Sequence, residues 1–184
     1  MTQRGHVIFL IAVCLALTTC QAPANEGRQK NDDVVAEFYR LAGNPQQSGE
    51  IDGAALSFVA ALPDADQLKV AQATALNPAA SFRSYGISLL IKLRHEDDAV
   101  PKLAEMVAGG QDFTALYWGW IHSGDQSLER RMYLKLGRYF LSHADSFTTD
   151  GQRRFEEFLC QANPDGPVQP CSREGIAEKL EKTQ

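Results

Sequence analysis

The hydrophobic and polar positions along the chain follow a helical period over most of its length. In residues 79–94, Phe82 and Leu89 fall on one side of a helix, whereas Ser88 and Lys92 fall on the opposite side. No sustained alternation and no Asn-Gly turn indicates a β-strand. The pattern therefore predicts an all-α fold.

Capping residues and helix breakers divide this pattern into segments. A residue among positions 31–33 is expected to cap a first helix that ends near Ala42. Asp97 and Asp98 are expected to cap a later helix, with Pro101 in its first turn. Other helices are predicted to begin at Asp52, Asp64 or Asp66, Ala79, Phe113, Asp125, Thr148 and Ser172.

The first 20 residues have the pattern of an export signal. Arg4 precedes an unbroken apolar run over residues 7–17. That run is too short to span a membrane comfortably, but it has the length of a signal-peptide core. We therefore expect residues 1–20 to be a signal peptide and the mature protein to work in the bacterial cell envelope.

The end of this signal resembles the lipobox of bacterial lipoproteins at Leu17 and Cys20. The resemblance implies that Cys20 is lipidated and becomes the N-terminus, anchoring the protein to the outer membrane through a flexible tether over residues 21–31. Residues 22–24 offer an alternative, an A-x-A site that would be cleaved after Ala24. We prefer the lipoprotein interpretation because a polar segment follows Cys20.

The two cysteines that remain in the C-terminal part form an even pair. Cys160 and Cys171 would lie in an oxidising compartment, where a disulfide is the expected state. Closing such a loop contributes roughly 2–4 kcal/mol to stability. A metal site is a poorer interpretation, because it would need two further ligands and no histidine lies nearby in the sequence.

One stretch, residues 64–107, resembles a known helical repeat. The residues that carry the resemblance are Asn77-Pro78, Phe82-Arg83, Gly86-Ile87, Leu89-Leu90, Leu93 and the run from Asp97 to Leu103. They resemble the second helix of a HEAT-like repeat and the start of the next, although Gly86 stands where that family usually has Ala. The resemblance implies stacked antiparallel helix pairs of α-solenoid character, in one helical domain over residues 32–184. Such folds bind partners on an extended surface.

Charge and motif content narrow the possible functions. The net charge is −5, so binding to nucleic acid would not gain the free energy that a basic protein obtains by displacing counterions from the phosphates. We therefore expect no nucleic-acid partner. His95 with Asp98 is better interpreted as a solvated turn at a helix start, and His122 as a helix end. The chain has no G-x-S-x-G motif, no HExxH motif and no glycine-rich loop after a strand. We therefore assign no catalytic, cofactor-binding or metal-binding residue.

Two features are candidate partner-binding surfaces. Arg131, Lys135 and Arg138 recur at helical spacing and would form a basic stripe in an acidic protein. Such a stripe is usually a solvated helix face. Trp118 and Trp120 lie in a strongly aromatic segment that is either a core helix or a partly exposed patch for a partner.

The function expected from these observations is that of a non-catalytic envelope protein that binds a protein partner. An immunity protein that neutralises a toxin delivered to the periplasm is one version, and an accessory lipoprotein of an envelope assembly is another. The alternative is an enzyme that acts on cell wall or lipid through a site that no motif reveals. A deep polar pocket with perturbed acids would favour the enzyme.

The anchor leads to the first testable prediction. Cys20→Ser should abolish incorporation of labelled palmitate and move the protein from the membrane to the soluble fraction, because the acyl chains have lost their attachment atom. Cell fractionation with acyl labelling measures both effects. If the unchanged protein takes up no label, cleavage occurs after Ala24 instead.

Overall fold

The computed structural model describes residues 24–44, 50–111 and 124–183. This part of the chain is all-α and contains no strand, which confirms the predicted fold class. Its eight α-helices are α1 (Ala24–Ala42), α2 (Gly53–Ala60), α3 (Asp64–Ala75), α4 (Ala80–Lys92), α5 (Glu96–Ala108), α6 (Gln126–His143), α7 (Thr149–Ala162) and α8 (Arg173–Lys182). A 3-10 turn, Ala144–Ser146, joins α6 to α7.

Four helices begin where the sequence places a capping residue. The side chains of these residues accept a hydrogen bond from a backbone N–H two or three positions later, which satisfies a donor that the helix itself cannot pair. The bonds run from Ala54 to Asp52 (2.7 Å), from Leu128 to Asp125 (3.0 Å), from Gly151 to Thr148 (3.1 Å) and from Gly175 to Ser172 (3.1 Å).

The predicted starts of α1 and α5 are wrong. Helix α1 begins at Ala24, so residues 24–31 of the expected tether are helical. Helix α5 begins at Glu96, so Asp97 lies in its first turn. There its negative charge interacts favourably with the helix dipole, but its side chain does not cap the helix. As a result, Pro101 lies beyond the first turn, and the carbonyl of Asp97 loses its usual helical donor. In both cases a polar residue that suits a cap is also tolerated inside the helix.

The helices pack around one continuous hydrophobic cluster. Helix α1 contacts α2 and α3, α3 lies along α4, α5 contacts α4, α6 and α7, and α8 lies on α6. The buried side of α4 matches the predicted side, since Phe82, Leu89 and Leu90 are buried while Ser88 and Lys92 are exposed. None of the helices within the described ranges is long and apolar enough to cross a membrane.

Helices α3 and α4 are in close backbone contact at Gly86. A methyl group at this position would lie 2.7 Å from the carbonyl oxygen of Ala71 and 2.5 Å from Oγ1 of Thr74, and even closer to the backbone nitrogen of Ala75. The Thr74 hydroxyl cannot move away freely, because it donates to the carbonyl of Val70 at 2.7 Å. The absence of a side chain at Gly86 therefore permits the contact.

The C-terminal helix is attached both covalently and by packing. The Sγ atoms of Cys160 and Cys171 lie at disulfide distance, as the sequence predicts, with their Cα atoms 5.7 Å apart as in native bridges. This link joins the last turn of α7 to the residue before the cap of α8. Ile176 and Leu180 of α8 are buried, and Leu180 lies directly over Gly137 of α6.

The contact at Gly86 gives a second prediction. Gly86→Ala should lower the free energy of unfolding by about 2 kcal/mol or more, because the methyl group meets backbone atoms that cannot rotate away. Urea unfolding followed by circular dichroism measures the change. Gly53→Ala is the matched control: its methyl group would have no neighbour within 4 Å, so its stability should change by less than about 0.5 kcal/mol. Equal effects of the two changes would contradict this account.

Candidate functional site

Several residues singled out from the sequence lie outside the described part of the chain. They are the aromatic pair Trp118 and Trp120, the lipidation candidate Cys20, and His122. The basic stripe on α6 is described, and so are the His95 turn and the cysteine pair. The stripe is therefore the first candidate surface.

The stripe is divided by contacts within the protein. Arg131 Nη2 lies 3.2 Å from Oε1 of Glu96, and Lys135 Nζ lies 3.2 Å from the other oxygen of the same carboxylate. Lys135 also contacts Oδ1 of Asp97 at 2.7 Å. Arg138 is exposed and has no acidic partner within the described ranges. Only one of the three cations is therefore fully available to a partner.

Arg131 and Lys135, the two paired cations of the stripe, stabilise the contact between α5 and α6. Glu96 is only 7 % exposed, and a carboxylate buried without cations would be strongly destabilising. The hydrogen bond to Asp97, assisted by Glu96 and opposed by partial burial, raises the pKa of Lys135, so this side chain stays charged at neutral pH. Arg131 and Lys135 thus hold the start of α5 against α6.

The histidine turn does not form an enclosed site. Nδ1 of His95 lies 3.5 Å from Oδ2 of Asp98, and both side chains are exposed to solvent. The described residues also contain no group of three or more His, Cys, Asp or Glu side chains arranged to hold a metal ion. The geometry shows a solvent-exposed contact between His95 and Asp98 at the start of α5.

A groove that the sequence analysis missed lies between α2 and α4. We call it the α2–α4 groove, and it has a volume of about 310 Å³. Its lining residues are Leu56, Val59, Ala60, Gln67, Tyr85, Ser88, Leu89 and Lys92. The signal that could have revealed it is the composition of α2, because residues 53–61 contain no charged side chain although most of them are exposed.

The two walls of the α2–α4 groove differ in chemistry. The α2 wall is apolar, and Leu56 on it is 40 % exposed. The α4 wall carries Tyr85, Ser88 and Lys92, which share one face of the helix at i, i+3 and i+7. Burial raises the pKa of Tyr85, so its hydroxyl stays protonated and able to donate. Its ring stacks on Phe38 of α1 at 5.6 Å between centroids, which fixes this wall.

A second recess, of about 530 Å³, lies beside the first half of α6. Most of its charged groups are paired. Arg130 contacts Asp165 at 2.9 Å, Lys179 contacts the same carboxylate at 3.2 Å, and Arg131 contacts Glu96. The Lys179 contact holds the pKa of Asp165 below its ordinary value. Burial, together with the charge of Asp165, raises the pKa of Tyr133 to about 12. Among the charged residues that line this recess, Glu129 is the one without an ion-pair partner in the described part of the chain.

Comparison with known proteins adds no relative. No protein-family model matches the chain, and neither a curated protein nor a solved structure matches it. Functional inference therefore depends on the groove, the charge pairs and the sequence signals.

The charge pairs give a third prediction. Lys135→Glu should lower the free energy of unfolding by about 2 kcal/mol, because it places a third carboxylate beside buried Glu96 and exposed Asp97. Arg138→Glu makes the same charge change one turn along the same helix, where it should alter stability by less than about 0.5 kcal/mol. Thermal unfolding at low and moderate salt compares the two. Similar losses would mean that the pairs do not hold α5.

Proposed function

We propose that this chain is an exported, non-catalytic protein of the bacterial cell envelope that binds another protein. The observation that carries the proposal is the exposed, uncharged surface of α2 beside the open α2–α4 groove. Leu56 is the large apolar side chain that α2 exposes there, and exposed apolar surface beside a groove is typical of interaction sites.

The chemistry of the groove favours binding over catalysis. Its lining contains no acid, histidine or cysteine, so acid–base and thiol chemistry have no group there. Ser88 and Lys92 are one helical turn apart, as in a serine–lysine pair. Both residues are exposed, and no hydrogen bond joins them in the described structure. An activated serine requires a base within hydrogen-bond reach.

We further propose that the helices form stacked antiparallel pairs of HEAT-like character. The close contact of α3 and α4 at Gly86 supports one such pair. Arg83, at the position where the repeat has arginine, donates from Nε to the carbonyl of Asn77 at 3.0 Å and from Nη1 to Gln111 at 2.9 Å. These bonds tie the turn between α3 and α4 to the end of α5.

The proposed address is the periplasm, with a lipid anchor at Cys20 in the outer membrane. The signal pattern supports export. The cysteine pair at disulfide distance suits an oxidising compartment. An immunity protein against a periplasm-delivered toxin and an accessory lipoprotein of an envelope assembly both fit this address, and in both the partner is a protein.

The fourth prediction separates a binding protein from an enzyme. His95→Ala and Asp98→Asn should each restore function to a deletion strain, because neither residue lines the α2–α4 groove. A photo-crosslinking residue introduced at exposed positions should capture one discrete protein in intact cells. If one of these substitutions abolished complementation while fold and cross-link persisted, that residue would perform chemistry. The protein would then be an enzyme acting on cell wall or lipid.

A further inference from the structure

We infer that the α2–α4 groove receives an amphipathic α-helix of the partner, with aliphatic side chains against α2 and a carboxylate beside Lys92. This inference rests on the proposed function, because it specifies the chemistry of the protein partner. It follows from three properties of the groove: its apolar wall, its polar wall and its uncompensated cation.

The apolar wall fits aliphatic side chains. Leu56 stands at the rim, while Val59 and Leu89 are buried at the base. The volume of about 310 Å³ is at the lower end of the range for small-molecule pockets, and the groove is not an enclosed cavity. An open groove between two helices suits the apolar face of a third helix, whose anchors recur at i, i+3, i+4 and i+7.

The polar wall specifies the other face of that helix. Tyr85, Ser88 and Lys92 extend over two turns of α4, roughly 10 Å at 1.5 Å per residue. A docked helix of similar length could therefore meet all three. Lys92 has no acidic partner within the described ranges, and the groove lining contains no acid. A carboxylate from the partner would supply the missing charge and fix the register of the docked helix.

Two other occupants agree less well with these observations. An anionic membrane surface requires several cations, whereas this groove carries one and the chain has a net charge of −5. A two-fold contact between copies of this chain would bring identical groove residues together, and these include Lys92 but no acid. An acidic amphipathic helix meets both the apolar and the charged wall.

The test uses the full exported chain, labelled with ¹⁵N, and two designed helical peptides. The peptides share leucine anchors at helical spacing and differ only in one turn, which carries Glu in the first and Lys in the second. The Glu peptide should bind about threefold to tenfold more tightly at low salt, with shifted amide signals at Val59, Leu89 and Lys92. In Lys92→Glu the order of the two peptides should reverse.

The two exposed leucines provide a matched control. Leu56→Asp should weaken binding of the Glu peptide at least tenfold, because it places a charge on the apolar wall. Leu76→Asp makes the same change at a leucine that is 71 % exposed and lies outside the groove lining, and it should leave affinity unchanged. Circular dichroism of both variants verifies that the fold is retained.

Several outcomes would overturn the inference. If both peptides bound with equal affinity and Lys92→Glu did not reverse their order, the partner would not place a carboxylate beside Lys92. If the protein bound phosphatidylglycerol vesicles and Leu56→Asp abolished that binding, the occupant of the groove would be a membrane. If sedimentation showed a dimer that Leu56→Asp abolished, the occupant would be a second copy of this chain.

The experiments distinguish an error in the groove assignment from an error in the proposed function. If the peptides fail but a native partner still cross-links from another face, the groove assignment is wrong and the binding function stands. If a substitution outside the groove lining, such as His95→Ala, abolishes complementation while cross-linking persists, the proposed function itself is wrong.

Discussion

The contact between α3 and α4 at Gly86 determines where the rest of the described structure can lie. Because no side chain separates the helices there, the backbone of α4 sits against that of α3. That position directs Phe82 and Tyr85 onto the aromatic rings of α1 and leaves Ser88 and Lys92 facing solvent beside α2. A wider separation would displace the α4 wall of the groove relative to the α2 wall. Packing in the core and the shape of the candidate binding surface therefore both depend on the absence of a side chain at Gly86.

A second constraint acts at the start of α5. Burying Glu96 requires cations, and α6 supplies two of them from residues that would otherwise form a continuous basic face. Charge that a partner could have used is thereby committed to holding two helices together. Arg138 and Lys92 are among the described cations without an ion-pair partner, and Lys92 lies in the lining of the α2–α4 groove. Internal electrostatics thus decides which part of the surface is available for recognition.

Capping residues and helical periodicity predicted much of the fold, whereas they did not predict contacts between residues far apart in the sequence. The caps at Asp52, Asp125, Thr148 and Ser172 were predicted correctly because a cap depends on atoms within three residues. The starts of α1 and α5 were misplaced because Asp and Asn suit both a cap and a first turn. The pairing of Glu96 with Arg131 joins residues 35 positions apart, and no helical periodicity encodes it. The groove escaped notice for a similar reason, since its walls come from separate helices, although the uncharged composition of α2 was visible in the sequence.

The covalent link at the C-terminus affects how α8 returns after local opening. Helix α8 is short, and its buried contacts rest largely on Ile176 and Leu180, so it is among the elements expected to detach before the whole domain unfolds. With Cys171 bridged to Cys160, the segment just before α8 remains beside the end of α7 even when the helix has left α6. The effective concentration of α8 at its packing surface on α6 then stays high, and the helix needs only to reorient in order to pack again. In the reduced chain the same helix would hang from a loop of about ten residues, and each return would have to close that loop again.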